Sequence, residues 1–435
     1  MLIIRRARVP VALLPAGFAT GPVDPREPAA ACDIAIDGPR IASVAPAGAA
    51  VAAPEGSDVL DAAGALVWPG FVDAHTHLDK AHTWHRTEDS RGLFAEALRV
   101  LGADKENWTR EDLLRRAGFS LRCAYAHGTR IIRTHIDTWS PAAETSHAAM
   151  AELRAQWAGK IELQTVPLTG GANYASADGE KLADLALKFG ASALGGFLIM
   201  GPELPAQIER MLAIARERGV GIDLHVDENG NPQAECLRLV TEAVLRTEFP
   251  YPVVCGHCCS LAVQPTPRQQ ATIALLKEAR VGIVSLPMCN LYLQDRRPAG
   301  APFPRAPQWR GLTLVKDLLD AGVPVACASD NVRDAFYAWG DFDVAEVYAQ
   351  SVRLAHLDEM LRDSVRVATS TAADLVGRPE FGRVAPGAPA HLVVFDARRF
   401  SELLSRPGGP RRRVDGERVH APELPDFAEL LDANR

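Results

Sequence analysis

Short apolar runs recur along this chain at the spacing that a parallel sheet wound with helices requires. Eight stand out in order: "GFVDAHTHLD", "GTRIIRTHIDT", "KIELQTVPLTG", "SALGGFLIM", "GIDLHVDE", "PVVCGHCCS", "GIVSLPMCN" and "VPVACASDN". Between them lie segments such as "PAQIERMLAIARERG" and "RQQATIALLKEARVG", with apolar residues at helical spacing and a terminal glycine. The alternation predicts βα units, and eight strands is the number that closes a (β/α)8 barrel. The two ends of the chain read differently. Residues 1–66 carry β-type runs, "LIIRRARV", "CDIAIDG" and "RIASVAP", between turns rich in Pro, Gly and Ala, and residues 381–435 echo them with "AHLVVFDARRF" and "RRRVDGERVH". The expected organisation is a barrel over 67–380, with one small β-sandwich built from 1–66 and 381–435.

Composition narrows the class. With 435 residues, 47% hydrophobic and 23% charged, the chain is an ordinary globular protein with ample material for a core. A formal charge of -7 and no long basic block argue against nucleic acid and favour a small-molecule partner. The opening "MLIIRRARVPVALLPAG" is broken by Arg5, Arg6, Arg8 and Pro10, so it reads as a first strand rather than a signal peptide. No apolar run approaches the roughly 18 residues that cross a bilayer, so no membrane span is expected. Eight scattered cysteines without an export signal fit a reducing cytoplasm. A homo-oligomer is compatible with all of this.

The polar residues within the apolar runs carry the chemistry. In six of the eight runs His, Asp, Glu or Asn falls at the C-terminal end, where a barrel of this kind builds its active site. His75 and His77 in "DAHTHLD" are two apart, so on a strand they share one face. His225 ends the fifth run, Glu228 follows where strand gives way to loop, and Asp330 ends the eighth. Three neutral imidazoles and a carboxylate suit one divalent transition metal, zinc or iron, with a position left for water. "PVVCGHCCSL" is ambiguous by itself: C-G-H-C is a redox dithiol pattern, and three thiols beside His257 could also hold zinc. A redox pair belongs at the start of a helix, where the thiolate is favoured, but "SLAVQPTP" follows with two prolines before any helix. Cys255 and Cys259 are therefore read as packing on the strand face of His257. The H-x-E and P-C-x-x-C patterns of the zinc nucleobase deaminases are absent.

From "DAAGALVWPGFVDAHTHLD" through "HVDE", "GHCCS" and "SDN" to "GAPAHLVVFD", nearly the whole chain resembles the amidohydrolase superfamily, in its cytosine deaminase-like branch. The resemblance implies a distorted (β/α)8 TIM barrel of α/β class, with the β-sandwich formed from both termini. It also implies a metal held by His75, His77, His225 and Asp330. Dinuclear members carry a bridging lysine on the fourth strand, which "SALGGFLIM" lacks, so one ion is expected. By the same resemblance His257 meets the metal-activated water and the substrate, Asp330 takes the proton of that water, and Glu228 shuttles a proton. The implied reaction is hydrolysis at a ring carbon bearing an amino group, in a cytosine-like pyrimidine or related N-heterocycle, releasing ammonia or an amine.

Three positions depart from the branch or mark its neighbours and are taken as substrate contacts. Leu168 in "TVPLTG" replaces a glutamine that follows a proline, and Asn331 replaces a second Asp. "SDNVRDAF", with Phe336, resembles N-isopropylammelide isopropylamidohydrolase, as does Lys80 in "HLDK", although that relative lacks the glutamate of "HVDE". Hydrolysis of a non-aromatic cyclic amide or amidine is the rival chemistry. A catalytically silent scaffold would require lost ligands, and none is lost.

Overall fold

In a computed structural model the described residues are 1–431 without 50, 52, 53, 140, 141 and 305, so the last four residues of the C-terminal sandwich segment lie outside them. The chain opens with β1 (Leu2–Pro10), β2 (Ala29–Asp37), β3 (Arg40–Pro46), β4 (Asp58–Asp61) and β5 (Val67–Pro69). Eight strands follow: β6 (Phe71–Thr76), β7 (Thr129–Asp137), β8 (Glu162–Leu168), β9 (Ala193–Phe197), β10 (Gly221–Val226), β11 (Val253–His257), β12 (Gly282–Ser285) and β13 (Val325–Cys327). The last are β14 (His391–Phe395), β15 (Arg411–Asp415) and β16 (Arg418–His420). Each of the eight apolar runs of the sequence holds one of β6 to β13, in order. Two compact units result: Met1–Asp73 with Arg122–Ile131 and Asp343–Pro425, and Ala74–Leu121 with Ile132–Phe342 and Asp426–Arg435.

The first unit contains the sheets β3-β2-β1-β4 and β16-β15-β14-β5. In β1, Leu2 and Ile4 stand opposite Ile36 and Ile34 of β2, so alternate residues of both strands face one way. They share a single core with Val67 and, from the other end of the chain, Leu392, Val394 and Val414. The two terminal pieces therefore form one β-sandwich, because neither has enough apolar surface to close a core alone.

The strands β6 to β13 form a five-stranded sheet, β13-β12-β11-β10-β9, and a three-stranded sheet, β6-β7-β8. The pairs from β9 to β13 are all parallel. The sheets meet at two seams, spanned by the isolated parallel bridges Thr76↔Asp330 and Gly170↔Phe197 rather than by ladders. There Asp330 N–H donates to His75 O at 2.9 Å and Phe197 N–H donates to Thr169 O at 2.9 Å. These short seams are what makes the (β/α)8 barrel distorted. Strands covered by helices are buried on both faces, as in β7, buried at every position although most of its side chains are polar, and in β12.

The helices follow their sequence signals with one difference. Leu204–Glu217 is followed by Gly219 at φ 68, as its glycine predicts. Thr266–Ala279, however, is capped by Arg280 in the left-handed region at φ 54, while Gly282 already begins β12. Among the described residues no helix is long and apolar enough to cross a membrane.

Candidate active site

Strand ends deliver the polar residues to one place. His75 lies in β6, His77 just beyond it, His225 in β10, His257 at the last position of β11, and Asp330 past β13. His257 and Asp330 have positive φ, 68° and 63°. Such backbone is costly for residues with a Cβ, and it clusters where side chains must be aimed. Here it turns both side chains at the end of their strands.

Nε2 of His225 is 3.1 Å from Nε2 of His75 and 3.2 Å from Nε2 of His77. Asp330 Oδ1 is 3.2 Å from His77 Nε2 and 3.7 Å from His75 Nε2. Four donor atoms thus converge from three strand ends, all of them buried. Burial, followed by the mutual repulsion of neighbouring cations, holds the imidazoles of His75 and His225 far below their usual pKa, and burial followed by the Lys80 charge does the same for His77. Neutral nitrogens facing one another this closely without a proton for every contact are poor company for themselves and good company for a cation. Four ligands at about 2.0 to 2.1 Å around a tetrahedral ion stand roughly 3.4 Å apart, and the observed separations bracket that spacing. The residues present therefore fit a divalent transition metal.

Beside the cluster, His257 Nδ1 is 4.0 Å from Asp330 Oδ2, 3.3 Å from Glu228 Oε1 and 3.0 Å from Asn290 Nδ2. Burial pushes the imidazole down to about 3, so the ring is neutral. With the amide NH2 of Asn290 as donor, Nδ1 accepts and the single ring proton sits on Nε2. That nitrogen is buried and has no hydrogen-bond partner among the described residues. Glu228 lies in the loop after β10 with its side chain 15% exposed. Burial, then the charge of Asp330, raises its carboxyl well above the usual range, which favours the protonated form that can donate.

Of the expected substrate contacts, Asn331 donates from Nδ2 to Asp334 Oδ2 at 2.7 Å and accepts from Cys289 Sγ at 3.7 Å. The same Asp334 accepts from the backbone N–H of Phe336 at 2.8 Å, and the Phe336 ring lies 5.7 Å from Lys80 Nζ. Leu168 ends β8, buried, with its carbonyl on Thr138 N–H. It stands outside the hydrogen-bonded set that joins the other two.

Other residues at this end of the barrel, all but Lys80, were not singled out by sequence reasoning. Asn290 and Gln294 reach Glu228 from the segment after β12, Asn290 Nδ2 donating to its carboxylate at 3.3 Å and Gln294 Nε2 to its carbonyl at 3.2 Å. The His135 ring lies 4.0 Å from that of His75, with Nε2 3.7 Å from Asp223 Oδ1. Lys80 and Lys105 each place Nζ 2.8 Å from one oxygen of Asp137. Burial alone would raise the Asp137 carboxyl, but the two ammonium groups outweigh it and hold the carboxyl low. The advance signals were His135 and Asp137 at the end of their apolar run and Lys80 in "HLDK". Asn290 and Gln294 lie on and just after a short helix, Pro287–Leu293, and had none.

The cysteines answer the ambiguity of "CGHCCS". All eight are buried, and none is joined in a disulfide among the described residues. Cys255 does lie in β11, but that strand stops at His257, Cys258 turns back at φ 51, and Cys259 opens a 3₁₀ turn, so Cys259 does not share the strand face of His257. Burial raises the thiols of Cys255, Cys258 and Cys259 well above the ordinary value, which disfavours the thiolate that redox chemistry needs.

Gly256 has a packing role in this site. In the β10–β11 ladder it pairs with His225, and a Cβ added there would sit 2.9 Å from Cε1 and 3.1 Å from Nδ1 of His75. Gly256→Ala is expected to push the His75 ring and weaken metal retention by about 10- to 100-fold, while far-UV circular dichroism stays unchanged. Competition with a chromophoric chelator measures it, and an unaltered metal affinity would show that the ring has room to move.

Comparison with known proteins agrees with this geometry. The solved 5-methylcytosine deaminase of Klebsiella pneumoniae, liganded with 5-fluorocytosine, has the same fold, with a TM-score of 0.82 at 22% identity over 98% of each chain. N-isopropylammelide isopropyl amidohydrolase of a Pseudomonas species is 26% identical over 354 residues, 78% of this chain and 82% of its own. Pterin deaminase of Rhizobium rhizogenes is 44% identical over 431 residues, 98% of this chain and 95% of its own. The profile of the amidohydrolase family matches residues 58–185 and 133–408, which take in every strand of the barrel and each histidine described above. The chain belongs to the amidohydrolase family, whose members are metal-dependent.

Proposed function

We propose that the protein is a deaminase of amino-substituted N-heterocycles and that its substrate class is the pterins, in which the amino group sits on a carbon between two ring nitrogens. The convergence of three histidine Nε2 atoms and Asp330 beside His257 and Glu228 carries the reaction class. The identity to pterin deaminase along 98% of the chain supports the ring. His75, His77, His225 and Asp330 hold one divalent transition ion, zinc or iron, in the barrel of residues 67–380 between the two sandwich segments. Bound there, the ion supplies Lewis acidity and makes water nucleophilic at neutral pH.

The protein's own groups do the rest. Asp330 Oδ2, the carboxylate oxygen toward His257, takes the proton of the attacking water as its oxygen bonds to the ring carbon. His257 Nε2–H donates to the oxygen that gathers charge, from a ring that burial keeps neutral. Glu228 gives its proton to the adjacent ring nitrogen, takes the remaining proton of the attacking oxygen and passes it to the leaving amine, and the proton held by Asp330 restores the Glu228 acid. The C–N bond breaks, a C=O remains in the ring, and ammonia leaves. The charge balance and the absence of a long apolar run support a cytoplasmic enzyme of small heterocycles, without nucleic-acid or membrane partners and free to associate with its own copies.

Ranking of kcat/KM tests the ring. Pterin and isocytosine are expected to exceed cytosine, because Leu168 offers no amide to a pyrimidine edge, at a cost of roughly 1 to 3 kcal/mol for the unpaired polar group. Leu168→Gln should raise cytosine turnover. Cytosine or a cyclic amide ranking first by a wide margin overturns the assignment.

A further inference from the structure

We propose that a second cavity at the catalytic end of the barrel receives a carboxylate carried by an aromatic arm of the heterocyclic substrate, an inference that rests on the deaminase reading above. The cavity has a volume of about 320 Å³ and is walled by Tyr292, Tyr337, Trp339, Arg296, Arg297 and Arg310. This is room for one ring and its substituent. The three rings meet edge to face with centroids 5.2, 5.6 and 5.8 Å apart. Such an arrangement presents flat apolar surface to a fourth ring.

The charges are unevenly matched. Arg297 pairs with Asp295 at 2.8 Å, and the other oxygen of Asp295 accepts the backbone N–H groups of Gln308 and Trp309. Arg296 lies 4.3 Å over the Tyr292 ring and donates to Tyr292 O, and Arg310 donates to Leu291 O. Among the described residues neither of these two guanidiniums is paired with a carboxylate. Asp89 and Asp334 are the other acids whose charge is felt at Tyr292, but Asp334 is already engaged by the Asn331 amide and the backbone N–H groups of Phe336 and Tyr337, and among the residues that wall the cavity Asp295 is the acid set against three arginines. Arg296 is also fitted into place: a Cβ at Gly92, itself at φ 66, would stand 2.6 Å from Arg296 Nε.

The cavity is tied to the chemistry by shared elements. The helix Pro287–Leu293 presents Asn290 to His257 and Glu228 and Tyr292 to the cavity. Gln294 lines the cavity and donates to the backbone of Glu228, and Tyr337 donates its N–H to Asp334, the partner of Asn331. Two unpaired guanidiniums form forked, charge-assisted hydrogen bonds to a carboxylate. Because the arginines are exposed, they compete with water for a free anion. Tethering to a ring already held in the catalytic centre supplies the effective concentration that makes the contact useful.

The test compares pterin with pteroate, which carries an aminobenzoate arm, on the metal-loaded enzyme and on the double variant Arg296→Met/Arg310→Met. The variant is expected to raise KM for pteroate by roughly 10- to 100-fold with kcat unchanged, and to leave both constants for pterin as they were. Arg297→Met, which removes a guanidinium already paired with Asp295, is the matched control and should change little. Equal losses for both substrates, or no loss for pteroate, overturns the cavity assignment. Equilibrium binding of pteroate, followed by tryptophan fluorescence, separates this from the deaminase reading. Tight binding that the double variant weakens, without ammonia release, rejects the reaction and keeps the cavity. Binding that is absent, or the same in both proteins, rejects the cavity.

Discussion

His225→Ala is expected to lose both its metal and its turnover, the first from about one ion per chain to none and the second to the limit of detection. His225 Nε2 stands between the Nε2 atoms of His75 and His77, so removing it takes away the donor that touches both others. The two that remain, with Asp330, no longer enclose a point. Without the ion the site has no means to lower the pKa of water from 15.7 toward about 7, and neutral water is too weak a nucleophile for a ring carbon. Thermal unfolding supplies a readout independent of activity. A ligand bound only by the folded state raises Tm, so chelation should lower Tm of the native protein and leave that of His225→Ala where it was. Elemental analysis that finds two stoichiometric ions in the native protein, or full activity after metal removal, refutes the single-ion site.

The barrel was legible because its signal is repeated. Each βα unit must bury an apolar strand under an amphipathic helix, so eight runs such as "GIDLHVDE" and "PVVCGHCCS" announce themselves by pattern alone. The convergence of His75, His77, His225, His257 and Asp330 was legible because a barrel of this kind brings the ends of its strands to one place. What escaped was set by geometry between segments distant in sequence. Asn290 is an ordinary residue of a seven-residue helix until that helix is docked against β11, where its amide decides which nitrogen of His257 carries the proton. Arg280, which caps its helix in a left-handed conformation, shows the local version of the same limit: a glycine two residues later drew the expectation because the conformational cost at arginine is small enough for tertiary packing to override. Cys259 was misplaced for a related reason, since strand periodicity cannot see that His257 and Cys258 both turn left-handed and end the strand.

Glu228→Gln is expected to keep the fold, the metal and KM while lowering kcat by about 10²- to 10⁴-fold, the contribution of a positioned acid-base group. Glutamine preserves the shape of the side chain and can still accept the hydrogen bond that Asn290 Nδ2 gives to Oε1 at 3.3 Å. It cannot give up a proton as a carboxylic acid does. Burial and the neighbouring Asp330 raise the native Glu228 carboxyl, which favours the form that carries a proton, so the neutral amide is the closer mimic of the native side chain at the histidine cluster. A loss of kcat therefore reports proton delivery and not a disturbed metal site, which elemental analysis confirms independently. The leaving group sharpens the test. An amine must be protonated as it departs, whereas a halide on the same ring carbon need not be, so a halogenated analogue should lose less from the substitution than the amino substrate does. If both analogues keep near-native kcat, Glu228 only positions His257 and Asn290, and the proton reaches the amine from another group.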